Sequence, residues 1–406
     1  MAFPLHVVTA AELRGLCQAL WDWKLCNDCQ VAEGTWTRTC REAGCPWGQR
    51  SERLGPFFDF YRETTCSYVP DFFGNEEQAL RGHRDLFDII RLIREYDYTL
   101  PRNLSVREYF AGRYVNGQSL VPEADQDRAF DLAARVLTMT NICADNQDII
   151  PQGNGDEEGI GSSGLAFWPP TKSLHDSMVD LFPSRIHPSL QAGDPQAAII
   201  KTRLTADNLK RVARLRFEGT NNLLDHLKID ASGAVRVFHH TTFLKEHLLA
   251  TKTADGDGPE KSSPSIPCLP RELALETLYT LQLLFPPGGK SQATLRNLVS
   301  KQGFDPDSLR FGTALFEFPY ERQKASGFPI WGTRLMDLYD EIENPKPRGT
   351  LDAWLERRSK SRHIMLVTMT GVLTAVLLGL LGLCVSIFQT WIAWQEWKSS
   401  SNFRDP

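Results

Sequence analysis

Between Ile364 and Trp394 the chain reads "IMLVTMTGVLTAVLLGLLGLCVSIFQTWIAW", with no Asp, Glu, Lys or Arg. The run exceeds the roughly 20 apolar residues needed to cross about 30 Å of hydrocarbon, so it predicts one transmembrane helix. At about 1.5 Å per residue it is longer than the bilayer core. Either the helix tilts, or the end near Trp391, Trp394 and Trp397 rests in the headgroup zone that indoles favour.

Upstream, apolar positions recur mostly with helical period. "EEQALRGHRDLFDIIRLIREYDY" spaces Leu80, Leu86, Ile89, Ile90 and Ile93 along one face, and "EADQDRAFDLAARVLTMTNI" does the same with Phe130, Leu132, Val136 and Leu137. "PRELALETLYTLQLLF" starts at Pro270, turns Leu273, Leu275, Leu278, Leu281 and Leu284 inward, and stops at Pro286-Pro287. "SQATLRNLVSKQG" and "GFPIWGTRLMDLYDEIENP" predict two further helices. The middle of the chain mixes periods. Thr205 is the expected N-cap of "TADNLKRVARLRFEG", whose end turns extended, and "TNNLLDHLKID" reads as a short helix capped by Thr220. Ser232-Gly233 then turns the chain into the strand "AVRVF", and "HHTTFLKEHLL" resumes helix. The predicted fold is mainly α with a small α+β segment in a cytosolic part, followed by one C-terminal transmembrane helix.

Two polar, Gly-rich stretches, 146–164 and 251–267, carry too few apolar residues to offset ordering entropy and read as exposed or disordered loops. The chain then divides into a Cys/Trp-rich segment (1–70), a helical region (71–145), a loop (146–170), a small α+β region (171–250), a linker (251–268), a second helical region (269–344), a basic juxtamembrane segment (345–363), the span (364–394) and a short tail (395–406). About 360 residues precede the span, enough for two ordinary domains.

Charge adds an orientation. Lys346, Arg348, Arg357, Arg358, Lys360 and Arg362 precede the span against Asp352 and Glu356, whereas Lys398 and Arg404 after it are balanced by Glu396 and Asp405. The positive-inside rule puts the N-terminal side in the cytosol, and the opening residues lack the basic-then-apolar order of a secretory signal. A tail-anchored protein is expected, with the sequon at Asn103 unglycosylated. The basic segment either contacts anionic lipid headgroups, at about 1 kcal/mol per basic side chain, or is a solvated stop-transfer flank. A net charge of −5 argues against general nucleic-acid binding.

"CNDCQVAEGTWTRTCREAGC" sets Cys26, Cys29, Cys40 and Cys45 at C-x2-C-x10-C-x4-C spacing. Structural disulfides are rare in a reducing cytosol, which leaves two main states. The four thiolates can close a tetrahedral structural zinc site, or stay as partly buried thiols among Trp21, Trp23, Trp36 and Trp47. Catalytic templates fail on context. Gly159–Gly164 matches G-x-G-x-x-G without a preceding strand or following helix, and Leu284 stands where a phosphate loop ending at Gly289-Lys290-Ser291 needs its first glycine. Neither G-x-S-x-G nor H-E-x-x-H occurs. Asp225, His226, His239, His240 and His247 form the remaining polar constellation, able to supply acid–base or metal-binding groups, or simply to satisfy backbone carbonyls and caps.

The succession "NNLLDHL" (221–227), "VFHHTTFL" (237–244), "LPRELALETLYTLQLLFP" (269–286), "IWGTRLMDLYDEIENPKPRGTLDAWLERR" (330–358) and a C-terminal hydrophobic helix resembles a broad family of uncharacterised filamentous-fungal membrane proteins, over roughly residues 200 to 395. Some similar proteins lie in accessory gene clusters associated with colony and hyphal surface form. The resemblance assigns no catalytic residue and does not reach the cysteines. Three functions are expected: an interaction or scaffolding module that holds an unknown protein partner at the lipid bilayer; an accessory factor in hyphal surface, colony morphology and biofilm architecture; or an enzyme using Asp225, His226, His239 and His240.

Overall fold

The computed structural model describes residues 5–31, 40, 44–70, 77–95, 100–115, 118–144, 165–191, 194–251, 267–310, 327–345 and 362–401. The Gly-rich loop at 146–164, nearly all of the linker at 251–267, most of the juxtamembrane segment and Trp36 lie outside these residues.

Thr9 and Glu12 form a reciprocal capping box that starts α1 (Ala10–Trp21), and Asp22 ends it in the left-handed region. Short helices α2 (Asn27–Val31) and α3 (Pro46–Arg50) lead into α4 (Gly55–Cys66), α5 (His83–Glu95), α6 (Arg102–Phe110) and α7 (Glu123–Thr138). The predicted apolar stripes face the core: Leu86, Ile89 and Ile90 of α5 are buried and Ile93 half-buried, and Phe130, Leu132, Val136 and Leu137 of α7 are buried. Leu80 is also buried, but in the bend before α5. Helix α5 packs between α1 and α7. Two small pairings join this region: β1 (Tyr114–Val115) with β2 (Gln118–Ser119), antiparallel, and β3 (Ile142–Cys143) with β4 (Ala166–Phe167), parallel.

Helices α8 (Leu174–Leu181), α9 (Pro195–Arg203) and α10 (Ala206–Arg211) follow. Thr205 caps α10 as expected, accepting from the Asn208 N–H. The chain then extends into β5 (Arg216–Thr220), which pairs in parallel with β6 (Ala234–Phe238), from Arg216 opposite Ala234 to Thr220 opposite Phe238. The helix expected over 220–230 is replaced by a single 3-10 turn, Leu223–Asp225, capped by Asn222 rather than Thr220. The cause is tertiary pairing. Leu227, at φ 64°, turns the chain so that its N–H and the Lys228 carbonyl bond to Arg236, and the Asp230 N–H bonds to the Ala234 carbonyl. These bonds take backbone groups that a helix would need. Gly233 makes the predicted turn at φ 81°, where Asp230 Oδ1 accepts from Ser232 and Ala234.

Helices α11 (Thr241–Ala250), α12 (Arg271–Leu284), α13 (Gly289–Gln302) and α14 (Gly332–Glu343) complete this part. Every residue of α12 from Leu273 to Leu281 is buried, including Glu276, Thr277 and Thr280. The Glu276 carboxylate accepts from the Ile330 and Trp331 N–H groups (2.9 and 2.6 Å) ahead of α14. Thr277 Oγ accepts from Trp331 Nε1 (2.9 Å) and donates to the Leu273 carbonyl. At about 1.5–3 kcal/mol per buried large apolar side chain, α12 is a major source of stability.

Met1–Pro345 is one compact unit, and Lys346–Pro406 is a second. The latter holds α15 (Arg362–Ser401). Within α15, the 30 residues Thr368–Trp397, whose most apolar 18-residue stretch has a mean hydropathy of 2.5, are long and apolar enough to span a membrane. Thirty helical residues reach about 45 Å, the bilayer thickness with its headgroup zones.

Gly219 lets β5 approach its neighbours. A Cβ there would stand 2.9 Å from His239 Cδ2 and 3.0 Å from Phe304 Cε1. Gly219→Ala is expected to lower unfolding free energy by about 1–3 kcal/mol in urea titrations followed by tryptophan fluorescence.

Candidate metal centre

Cys26 lies just before α2, Cys29 within it, and Cys45 immediately before α3, where Pro46 supplies the first helical residue. With Cys40 these residues converge: all four Sγ atoms lie within 4.8 Å of one another. A tetrahedral zinc thiolate site with Zn–S near 2.3 Å requires S···S edges of about 3.8 Å. The donor set therefore fits a single ion, whereas an iron–sulfur cluster needs its cysteines spread around several metal atoms. All four are thiols, and Cys26 Sγ and Cys40 Sγ are 3.3 Å apart, far beyond bonding distance. The four cysteines lie close enough to bind a metal such as zinc.

Burial pushes the Cys29 thiol up, helped by hydrogen bonds with the other three. Burial also raises Cys45, but the backbone N–H groups of Cys26 and Trp47, then the Cys40 and Cys26 thiols, outweigh it and bring Cys45 down to about 7. Gly48 is the residue that sequence reasoning missed. A Cβ at Gly48 would meet Cys40 Cβ at 2.7 Å and the Cys40 carbonyl oxygen at 2.9 Å, so only glycine lets Cys40 reach the cluster. Trp47 stacks on Phe58, meets Trp23 edge-on and lies under the Arg14 guanidinium, which fixes α3 to the aromatic core. Arg50 at the end of α3 pairs with Glu246 of α11 at 3.1 Å.

The histidine constellation is engaged internally. His226 Nδ1 accepts from the Phe238 N–H (3.1 Å), so Nε2 carries the proton and donates to Thr280 Oγ (2.7 Å), which donates to the Thr277 carbonyl. His239 Nδ1 accepts from the Asp305 N–H (3.3 Å), and its ring stacks between Phe304 and His240. His240 Nε2 donates to Asn221 Oδ1 (2.7 Å), while Nδ1 is buried with no hydrogen-bond partner. His247 Nε2 donates to the Leu269 carbonyl (2.8 Å). His240 sits at the N-cap position of α11 rather than inside the helix. Asp225 is held by Asn222, Lys228 and Arg236. Burial drives the pKa values of His226 and His240 well below the ordinary range and holds His239 and His247 at about 4.

No protein-family model matches the chain, no curated protein matches it significantly, and no solved structure does so.

The unfolded chain protonates histidine near pH 6.5, whereas the folded protein keeps His247 neutral to about pH 4 because it is buried, with Arg271 and Arg94 nearby. The unfolded state then binds more protons in this window, so the His247 contribution to stability is lost as pH falls from 6.5 towards 4. His247→Gln retains a donor for the Leu269 carbonyl. Denaturant titrations should show its acid limb flatter than that of the parent by up to about 1.4 kcal/mol per pH unit.

Proposed function

We propose that the protein is a membrane protein held by the span within α15, whose large unit is a zinc-stapled, non-catalytic interaction module facing the cytosol. The convergence of Cys26, Cys29, Cys40 and Cys45 within 4.8 Å carries this reading. Four thiolates around one zinc leave no coordination position for substrate, so the metal's part is to hold α2 and α3 in place. The span supplies the mechanism. Confining the module to a surface raises its effective concentration towards a protein partner without new contacts. The basic residues before the span favour this orientation and a contact with anionic headgroups.

Acid–base chemistry at Asp225, His226, His239 and His240 is the weaker reading. It would need an imidazole exchanging protons near neutrality, and burial opposes that at all three histidines. The resemblance to fungal membrane proteins extends the proposal to a role in hyphal surface form; loss of the chain, scored for colony morphology and biofilm architecture, tests that extension.

Reduced full-length protein in detergent should carry about one zinc per chain by elemental analysis, lost in the Cys26→Ser/Cys29→Ser variant. Zinc-free parent protein would sink the metal reading. Gly48→Ala, which crowds Cys40, should weaken zinc binding by roughly 10- to 100-fold in competition with a chelator.

In cells the chain should resist alkaline carbonate extraction, deletion of 364–394 should release it, and Asn103 should show no endoglycosidase-sensitive glycan. A glycan at Asn103 would reverse the orientation.

A further inference from the structure

The four cysteines are not equivalent. Cys29 and Cys45 are buried at 8% and 4% exposure, whereas Cys26 and Cys40 are only partly covered. The accessible pair is close, with Sγ atoms 3.3 Å apart. An oxidant arriving from solvent therefore meets two sulfurs already within reach of one another, while the other two stay shielded. We propose that Cys26 and Cys40 form an oxidation site within the metal centre, converted by a peroxide to a single disulfide that ejects the zinc. The inference rests on the zinc reading above.

The step balances with hydrogen peroxide as the oxidant. The thiolate of one cysteine attacks a peroxide oxygen, the O–O bond breaks, and a sulfenic acid forms as one water leaves with a proton from solvent. The second thiolate attacks the sulfenic sulfur; the S–S bond forms, the S–O bond breaks, and hydroxide leaves and takes a proton to give a second water. Two thiolates have lost two electrons and one peroxide has gained them. Zinc then retains only the Cys29 and Cys45 thiolates, half of a tetrahedral set, and dissociates. A thiol reductant restores both ligands. Among the remaining described cysteines, Cys17, Cys143 and Cys268 are buried, Cys384 lies in the apolar span, and Cys66 is exposed beside His6, with Sγ 3.5 Å from Nδ1. Cys66 is thus the competing soluble-side thiol.

The test uses the full-length Cys66→Ser variant in detergent, loaded with zinc and titrated with hydrogen peroxide. A colorimetric chelator reports released zinc, and alkylation followed by peptide mass spectrometry reports each linkage. The expected result is one Cys26–Cys40 disulfide per zinc released, with Cys29 and Cys45 alkylated as thiols after denaturation, and full rebinding after reduction. Disulfides through Cys29 or Cys45, or zinc kept after Cys26 and Cys40 have joined, would overturn the proposal. Zinc content before oxidant is measured separately, so failure of the metal reading is seen in that first value. The linkage map is read in either case.

Discussion

Glu276, Thr277 and Thr280 lie on a stretch of α12 that water does not reach, and each must find its partner inside the protein. Their solutions bring three distant parts of the chain together. Glu276 takes the two N–H groups ahead of α14, Thr277 takes the Trp331 indole, and Thr280 takes His226 from the crossover between β5 and β6. Arg334, reaching from α14 over the Trp331 ring, closes the circle by donating to the carbonyls of Leu224 and His226. Burial raises Glu276 to about 8, and the Trp331 and Ile330 N–H groups work against that rise. A polar network of this kind specifies one arrangement of helices, where an all-apolar surface would tolerate several.

The same satisfaction of polar groups explains why the histidines do not form a reactive centre. His226 is a bridge between β6 and α12, and His239 fills the space left open by Gly219. The cysteine cluster is organised differently. Its neighbours are aromatic, its cysteines lie in or beside the short helices α2 and α3 with Cys40 apart from both, and Trp47 and the Arg50–Glu246 pair link it to the rest of the unit. Helices α2 and α3 are too short to be stable by themselves and depend on these contacts.

How much of this could be read beforehand depended on range. The stripes of α5, α7 and α12, the Thr205 cap, the Ser232-Gly233 turn and the apolar span are local patterns, and they stand where expected. Helix α1 is equally legible, since Thr9 and Glu12 spell a capping box. The segment after Thr220 was misread because residues 227–230 pair with a strand still to come, a contact no local propensity reports. Cysteine spacing nominated the ligands without showing that they converge, and nothing in the spacing revealed that Gly48 makes room for Cys40. Glu276 looked like one polar residue on an apolar helix; its partners lie more than 50 positions away.

The Cys26–Cys45 loop has a consequence for the order in which the chain acquires structure. It closes over roughly 20 residues, so its entropic cost is small. The aromatic wall beside it is completed only by Phe243, which stacks on Phe57 at 5.0 Å, and by Glu246, which meets Arg50. During synthesis the segment that carries these cysteines and Phe57 emerges long before α11 leaves the ribosome. The two faces of this contact are therefore made at different times, and the earlier one stands open until the later arrives.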